Sequence, residues 1–229
     1  MQTAPAPVIV AIDGPSGTGK SSTSKAVAAK LGLRYLDTGA QYRAMTWWML
    51  SHGIDVHDAA AVAAASARPR ITSGTDPAAP TITADGNDAT GPIRTQEVTA
   101  AVSAVSAVPE VRERITALQR EIAAAAGGIV VEGRDIGTTV LPDADLKVFL
   151  TASPEVRAAR RSGELSGKEA AGLDATRQAL MKRDAADSGR RTSPLKKADD
   201  AVEVDTTDLT LEQVIECVVT LVEEKQQAG

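Results

Sequence analysis

The residues with the clearest chemical pattern form the segment GPSGTGKS at residues 14–21. This segment matches G-x-x-x-x-G-K-[ST], follows an apolar run typical of a strand, and precedes a segment of helical length. Its glycines allow backbone amides to surround an anion, and the helix start adds a positive dipole. Lys20 is expected to contact the β and γ phosphates of a nucleoside triphosphate, and the Ser21 hydroxyl to bind Mg²⁺.

The segment after the second predicted strand offers two kinds of chemistry. It reads DTGAQYR over residues 37–43 and leads into a helix. Thr38 and Arg43 could hold an anionic acceptor, because a hydroxyl and a guanidinium both donate hydrogen bonds to phosphate. Asp37 could instead act as general base for a hydroxyl acceptor. This segment alone leaves both reaction classes open.

A third polar segment, EGRD at residues 132–135, follows another apolar run. In open parallel sheets, ligands collect at the carboxyl ends of the strands. Arg134 can bind phosphate through two nitrogens, and Asp135 can accept hydrogen bonds from an amino group. Glu132 is open to two interpretations, a role in the site and a buried structural ion pair.

Basic residues are concentrated between Thr151 and Lys197. This segment has eleven basic and six acidic residues, a balance of +5, whereas the whole chain has a formal net charge of -5. Excess positive charge on an acidic protein suits a mobile cover over phosphates and favours an anionic acceptor. The basic residues are Arg157, Arg160, Arg161, Lys168, Arg177, Lys182, Arg183, Arg190, Arg191, Lys196 and Lys197.

Composition limits the class of protein. The chain has 229 residues, of which 43% are hydrophobic and 24% charged, close to globular averages. The pI near 5.2 argues against nucleic-acid binding through the overall field. A single cysteine, Cys217, cannot form an internal disulfide and is expected to be a buried helix thiol. Without a leader-like N-terminus or a run of about 18 apolar residues, we expect a cytoplasmic protein that does not bind a membrane. We expect no nucleic-acid partner, and a monomer is the default expectation for the oligomeric state.

The elements that must position these residues alternate along the chain. Short apolar runs predict strands at residues 8–12, 33–36, 129–131, 146–150 and 201–204. Alanine-rich segments predict helices at residues 22–31, 41–50, 111–126 and 154–161. Ser153 is expected to cap one helix, and Thr210 with Gln213 to form a capping box at another. The alternation predicts an α/β fold with a parallel five-stranded sheet flanked by helices.

Residues 68–90 break this alternation. Apolar and polar residues alternate there between Pro, Gly, Asn and Asp, which predicts a small antiparallel meander inserted beside the main sheet. We therefore expect a core formed by residues 1–67 and 91–229, an insert at 68–90, and a helical lid at about residues 155–190 within that core.

Residues 14–21, which we call the triphosphate loop, do not by themselves define the activity. The small size disfavours a helicase or multidomain ATPase, and the chain lacks the N/T-K-x-D segment with which Ras-like GTPases read their base. Three hypotheses remain: a kinase with an anionic acceptor, a kinase of shikimate or nucleoside type with Asp37 as base, and a non-catalytic nucleotide-binding switch.

The motifs taken together resemble the bacterial cytidylate kinases, the CMP/dCMP kinase branch of the P-loop nucleoside monophosphate kinases. They follow in order over almost the whole chain: IDGPSGTGKS at 12–21, LDTGAQYR at 36–43, IRTQEV at 93–98, EGRDIGT at 132–138 and KRDAADSGR at 182–190. The resemblance implies a P-loop kinase fold with a monophosphate-binding insert and a lid. It implies transfer of the γ-phosphoryl group of ATP to CMP or dCMP, with Mg²⁺.

The resemblance also assigns roles to residues. For ATP it implies Gly14, Pro15, Ser16, Gly17, Thr18, Gly19, Lys20, Ser21, Ser22 and Arg160, with Ser21 as metal ligand. For the monophosphate it implies Thr38, Arg43, Ser103, Arg112, Arg134, Asp135, Arg183, Asp187 and Arg190. For catalysis it implies Lys20, Arg134, Arg183, Arg157 and Arg161. Within the second set, Ser103, Arg112 and Asp135 match positions that contact cytosine, and Asp187 matches one that holds the ribose.

The chain departs from the family pattern in two places. Glu132 stands where other members have Asp, which leaves any metal-linked role of this carboxylate open. Ala185 and Ala186 stand where related sequences carry charges. Neither change removes a residue assigned above.

Overall fold

The computed structural model describes residues 7–164 and 172–228. Its centre is a five-stranded sheet formed by β1 Ile9–Asp13, β2 Arg34–Asp37, β6 Ile129–Glu132, β7 Leu146–Thr151 and β8 Val202–Asp205. The sheet is parallel throughout, and its strands lie in the order β2-β6-β1-β7-β8. The predicted parallel sheet is confirmed, and each strand lies within one or two residues of its predicted run.

Helices surround the sheet and connect its strands. They are α1 Lys20–Leu31, α2 Thr38–Ser51, α3 Ala59–Ala65, α4 Gln96–Ser106, α5 Pro109–Ala125, α6 Pro154–Glu164, α7 Leu173–Ser188 and α8 Leu211–Ala228. A 3-10 turn covers Pro92–Arg94, and a π-helical turn covers Ile136–Val140. None of the described helices has the length and apolar character needed to span a membrane.

The central strand β1 is buried on both faces, which explains its unbroken apolar sequence. Val10 and Ile12 pack on one face with residues of α1 and α8, such as Val27 and Val218. Ala11 packs on the opposite face with residues of α5 and the 136–140 turn. The strand pairs with β6 on one side, Ile9 opposite Ile129, and with β7 on the other, Val10 opposite Leu146.

Both predicted helix starts are confirmed. The Ser153 hydroxyl accepts a hydrogen bond from the Val156 amide at 3.3 Å, before α6. At the start of α8, the Thr210 amide donates to Gln213 Oε1 at 2.9 Å and the Gln213 amide donates to Thr210 Oγ1 at 3.2 Å. This reciprocal pair is a capping box.

The antiparallel meander is also confirmed. Strands β3 Ile71–Ser73, β4 Ile82–Ala84 and β5 Asn87–Asp88 form a separate three-stranded sheet. A hydrophobic cluster joins it to α2 through residues such as Met45 and Ile82. The insert is thus held by the helix that follows the second strand of the main sheet.

The expected burial of Cys217 is wrong, because its thiol is exposed on α8. The buried residues of this helix are Val214, Val218, Val219 and Val222. They form a stripe with helical spacing. Cys217 lies beside the stripe rather than in it.

Candidate active site

The loop between β1 and α1 has the backbone of an anion-binding turn. Gly14 and Gly17 have φ values of 145° and 81°, a region that favours glycine. A Cβ atom on Gly14 would lie 2.2 Å from the carbonyl oxygen of Leu150 in β7, so the loop passes against that strand with no room for a side chain. Glycine is therefore needed at position 14 both for its positive φ and because a side chain would collide with β7.

Lys20 opens α1 and lies buried within the loop. Its Nζ donates a hydrogen bond to the Pro15 carbonyl oxygen at 2.6 Å. Burial, followed by the nearby Arg134 guanidinium, lowers the pKa of Lys20, while Glu132 and Asp13 act in the opposite direction. The preceding residue, Gly19, gives the described helix start no side-chain cap. The first backbone amides of α1, which no side chain caps, and the Lys20 ammonium group therefore both lie at this loop.

Glu132 links the loop to the end of β6. Its Oε1 accepts hydrogen bonds from Ser21 Oγ at 2.7 Å and from Tyr35 Oη at 2.8 Å. Its Oε2 is buried and has no partner among the described residues. Burial, followed by repulsion from Asp37, raises the pKa of Glu132. A serine hydroxyl beside an unpaired carboxylate oxygen provides the hard oxygen ligands that Mg²⁺ prefers.

Four arginines from four different elements converge beside the loop. Arg43 lies on α2, Arg134 after β6, Arg161 on α6 and Arg183 on α7. Burial, followed by repulsion from Arg134 and Arg43, lowers the pKa of Arg183 to about 9. Burial lowers the pKa of Arg43 to about 10, with repulsion from Arg161 and Arg134 contributing. So much mutually repelling charge suits an anionic ligand.

Arg134 connects this cluster to the loop and to α7. Its Nη2 donates to Ser16 Oγ at 2.6 Å, and its Nε donates to Asp187 Oδ2 at 2.5 Å. The other oxygen of Asp187 accepts from Arg190. Asp187, assigned to the ribose by resemblance, is bound here by two guanidinium groups.

The helices predicted as a lid contact the loop directly. Arg157 of α6 donates to the Ser16 carbonyl oxygen at 3.1 Å and forms an ion pair with Asp184 of α7. Asp184 also accepts from the Ser16 amide at 3.4 Å. Arg160 instead contacts the loop after β8, donating to Thr206 Oγ1 at 2.8 Å and to Thr206 O at 2.7 Å. Of the basic residues counted in this region, Lys168 lies outside the described residues.

Asp135, which directly follows Arg134 in the chain, takes part in a buried ion pair. Arg112 of α5 donates to Asp135 Oδ2 at 2.6 Å, and both side chains are nearly fully buried. Arg112 also donates to the Ser106 carbonyl oxygen at 3.2 Å and lies over the Tyr42 ring at 5.2 Å. Ser106 in turn bonds to the carbonyl oxygen of Ser103 at 3.3 Å. Arg112 and Asp135, two of the three residues predicted to contact a base, are thus in direct contact, whereas Ser103 is linked to them only through main-chain carbonyl groups of α4.

Other predicted residues support the site from its edges. Thr38 Oγ1 donates to the Glu132 carbonyl oxygen at 2.6 Å, which ties the start of α2 to β6. Asp37, the alternative general base, caps α2 by accepting from the Ala40 amide at 2.9 Å. Arg43 donates to the Ile93 carbonyl oxygen at 3.2 Å and to Thr99 Oγ1 at 3.0 Å.

Three residues of the site were missed by sequence reasoning. Tyr35 bonds to Glu132, Asp184 holds Arg157 against the loop, and Asp13 accepts two amides of the 136–140 turn. Only Asp184 could have been recognised from the sequence, because it directly follows Arg183 in the KRDAADSGR motif. The partners of Tyr35 and Asp13 are more than 90 positions away in sequence.

Comparison with known proteins agrees with this geometry. The family model described as cytidylate kinase matches residues 10–224. The cytidylate kinase of Streptomyces griseus is 79% identical over 100% of this chain and 98% of its own length. The cytidylate kinase of Corynebacterium glutamicum is 54% identical over 94% of this chain and 94% of its own. That of Nocardia farcinica is 52% identical over 97% of each chain.

A solved structure supports the fold independently. A gluconokinase from Sinorhizobium meliloti 1021 matches with a TM-score of 0.53 at 15% identity, over 97% of this chain and 95% of that one. Identity this low supports the architecture and nothing finer. The family itself follows from the match over residues 10–224 and from the full-length relatives. The chain belongs to the cytidylate kinase family.

Proposed function

We propose that the protein transfers the γ-phosphoryl group of ATP to CMP or dCMP, forming ADP and CDP or dCDP. The observation that carries this proposal is the position of Arg134. Arg134 donates one hydrogen bond to Ser16 of the triphosphate loop and another to Asp187, the residue that the resemblance assigns to the ribose. An acceptor phosphate held there would be adjacent to the phosphate tail of ATP, the arrangement that in-line transfer requires.

The acceptor needs no general base. A nucleoside monophosphate is already anionic at neutral pH, so its oxygen can attack without losing a proton. Asp37, which a kinase of alcohols would use as base, caps α2 instead. Catalysis then consists of positioning and charge neutralisation, for which the loop amides, Lys20 and the arginines are suited.

The arginines would neutralise the charge that develops on the transferred group. Arg134 and Arg183 would act on the acceptor side, and Arg157 and Arg161 would act from α6. Because water would compete as acceptor in an open site, we propose that the Arg157–Arg161 segment and the insert move on binding. The contacts of Arg157 with Ser16 and Asp184 give α6 and α7 a defined position against the loop.

Ser21 and Glu132 would hold the Mg²⁺ that accompanies ATP. The Ser21 hydroxyl, which bonds to Glu132 Oε1, and the Glu132 Oε2 that is unpaired in the described part of the chain fit a hard divalent cation. When bound, the ion neutralises charge on the β and γ phosphates. The longer Glu132 side chain, in the place of the family's Asp, is supported here by the Tyr35 hydroxyl.

The remaining roles follow the resemblance. The loop residues 14–22 and Arg160 would bind ATP, with Ser103, Arg112 and Asp135 at the base. We also propose a monomer, since one chain supplies all these groups, with the insert at residues 68–90 and the lid at about 155–190. A cytoplasmic location suits an enzyme whose substrates are free nucleotides.

Coupled ADP release tests the function directly. CMP, dCMP, UMP, AMP and shikimate are compared at equal concentration with Mg-ATP. We expect CMP and dCMP to give the highest rates. Faster turnover of shikimate would favour the alcohol kinase, and ATP binding without turnover of any acceptor would favour a nucleotide-binding switch.

Base selectivity provides the first mutational prediction. The Asp135 carboxylate can accept from the exocyclic amine of cytosine while Arg112 donates to the ring acceptors; uracil would place a carbonyl against the carboxylate. Asp135→Ala should lower the CMP-to-UMP ratio of kcat/KM by on the order of 10²-fold. Initial rates with both nucleotides measure this ratio. A variant with wild-type selectivity would show that Asp135 does not read the base.

A further inference from the structure

Asp13 is a buried carboxylate to which the mechanism above assigns no role. It is the last residue of β1, directly before the first glycine of the triphosphate loop, and is 5% exposed. Its Oδ1 accepts from the Ile136 amide at 2.9 Å and its Oδ2 accepts from the Gly137 amide at 2.8 Å. These amides belong to the turn that follows Arg134 and Asp135.

The turn at 136–140 is capped in an unusual way. An aspartate directly before a helical turn ordinarily accepts a hydrogen bond from the amide two or three residues later. Asp135 occupies that position, yet within the described structure its side chain makes no such bond. Asp13 from the neighbouring strand takes the Gly137 amide instead, and the Asp135 carboxylate is paired with Arg112.

Two effects of Asp13 act on Asp135 in the same direction. Asp13 accepts the hydrogen bond of the Gly137 amide, which would otherwise be available to the Asp135 side chain. The two carboxylates are also close enough to repel each other, since Asp135 contributes to the raised pKa of Asp13. Both effects favour the orientation of Asp135 toward Arg112.

We propose that Asp13 is a positioning residue that caps the 136–140 turn and so keeps the Asp135 carboxylate free to recognise an amino-bearing base. The proposal rests on the proposed function, because base selectivity has meaning only for a nucleotide acceptor. Asp13 acts on the base through Asp135 rather than through contact with the substrate.

Asp13 satisfies two buried amides, but keeping it ionised at neutral pH has a cost in stability. Burial is the largest influence on Asp13 and raises its pKa to about 6, despite the two amide hydrogen bonds. A carboxyl group with a raised pKa favours folding most when protonated, and this contribution is lost as the pH rises through about 6. At neutral pH the charge therefore costs stability, which is consistent with a positional role.

The test compares selectivity in variants of Asp13. Asp13→Asn keeps one acceptor oxygen but places an amide donor against a backbone N–H. Asp13→Ser keeps a smaller acceptor and avoids that mismatch. For both, we expect the CMP-to-UMP ratio of kcat/KM to fall about 10-fold, with the KM for ATP changed less than about threefold.

A double variant separates positioning from general damage. If Asp13 acts through Asp135, adding Asp13→Asn to Asp135→Ala should not lower the ratio further. The matched control is Asp145→Asn, because Asp145 accepts from the Ile9 amide at 2.8 Å at the opposite end of the same strand. This control should retain wild-type selectivity.

Each other outcome overturns the inference. Unchanged selectivity in folded Asp13 variants, or an effect that adds fully to that of Asp135→Ala, would remove the link to Asp135. Failure of both Asp13 variants to fold, with Asp145→Asn folded, would assign Asp13 to stability alone. A wild-type protein that does not phosphorylate CMP would instead disprove the proposed function.

Discussion

Replacing Lys20 by methionine is expected to lower kcat for CMP phosphorylation by about 10³-fold. Methionine preserves much of the apolar stem but removes the charge and the hydrogen-bond donors. The ammonium group lies inside the loop, bonded to the Pro15 carbonyl oxygen. Because residues 14–19 of the loop include no other cationic side chain, none of them can take over its interaction with the transferred phosphate. Steady-state ADP release measures the loss.

The control for this variant is on the same helix. Lys30 lies at the other end of α1, is exposed and pairs with Glu216 of α8. Lys30→Met removes the same charge from the same helix without touching the loop, and exposed pairs contribute little to stability. It should retain the wild-type kcat. A Lys20→Met enzyme that kept more than about a tenth of wild-type activity would contradict the assignment of Lys20 to the transition state.

Replacing Arg183 by glutamine is expected to lower kcat/KM for CMP by about 10³-fold, while leaving the free protein as stable as the wild type or more stable. The lowered pKa of Arg183 means that the fold disfavours its charged form, with burial and the charges of Arg134 and Arg43 as the main causes. Glutamine removes this repulsion. The same charge, however, is what an incoming phosphate needs.

Two measurements together test this prediction. Thermal unfolding without ligand should show an unchanged or higher Tm for Arg183→Gln, and added CMP should raise the Tm of the wild type more than that of the variant. Lys182→Gln, at the exposed neighbouring position, is the control and should match the wild type in both. A variant that loses stability and activity together would mean that Arg183 mainly supports the fold.

Local sequence patterns were sufficient to predict the sheet and the triphosphate loop. The strands could be found because burial on both faces requires unbroken apolar runs, as in residues 8–12. Helix α1 begins two residues earlier than predicted, at Lys20, because Gly19 ends the loop at a φ of 84°. Its serine- and threonine-rich first turn concealed that start.

The contacts between distant residues could not be predicted in this way. Tyr35 reaches Glu132 because β2 and β6 are neighbours, and Asp13 reaches the 136–140 turn because β1 and β6 are neighbours. Strand order is a global property, and no local pattern around residue 13 or 35 indicates it. Cys217 was misplaced for a related reason: the side of α8 that faces the sheet depends on how the helix docks.

The central place of β1 has a consequence for how this protein is made. The strand is synthesised before both of its neighbours, so it stays unpaired until Ile129 is available to Ile9 and Leu146 to Val10. Parallel pairing over such sequence separations is slow, and unpaired apolar strands favour aggregation. During translation, the first strand of the nucleotide site is therefore the segment that most needs protection, and that site can form only after most of the chain has been synthesised.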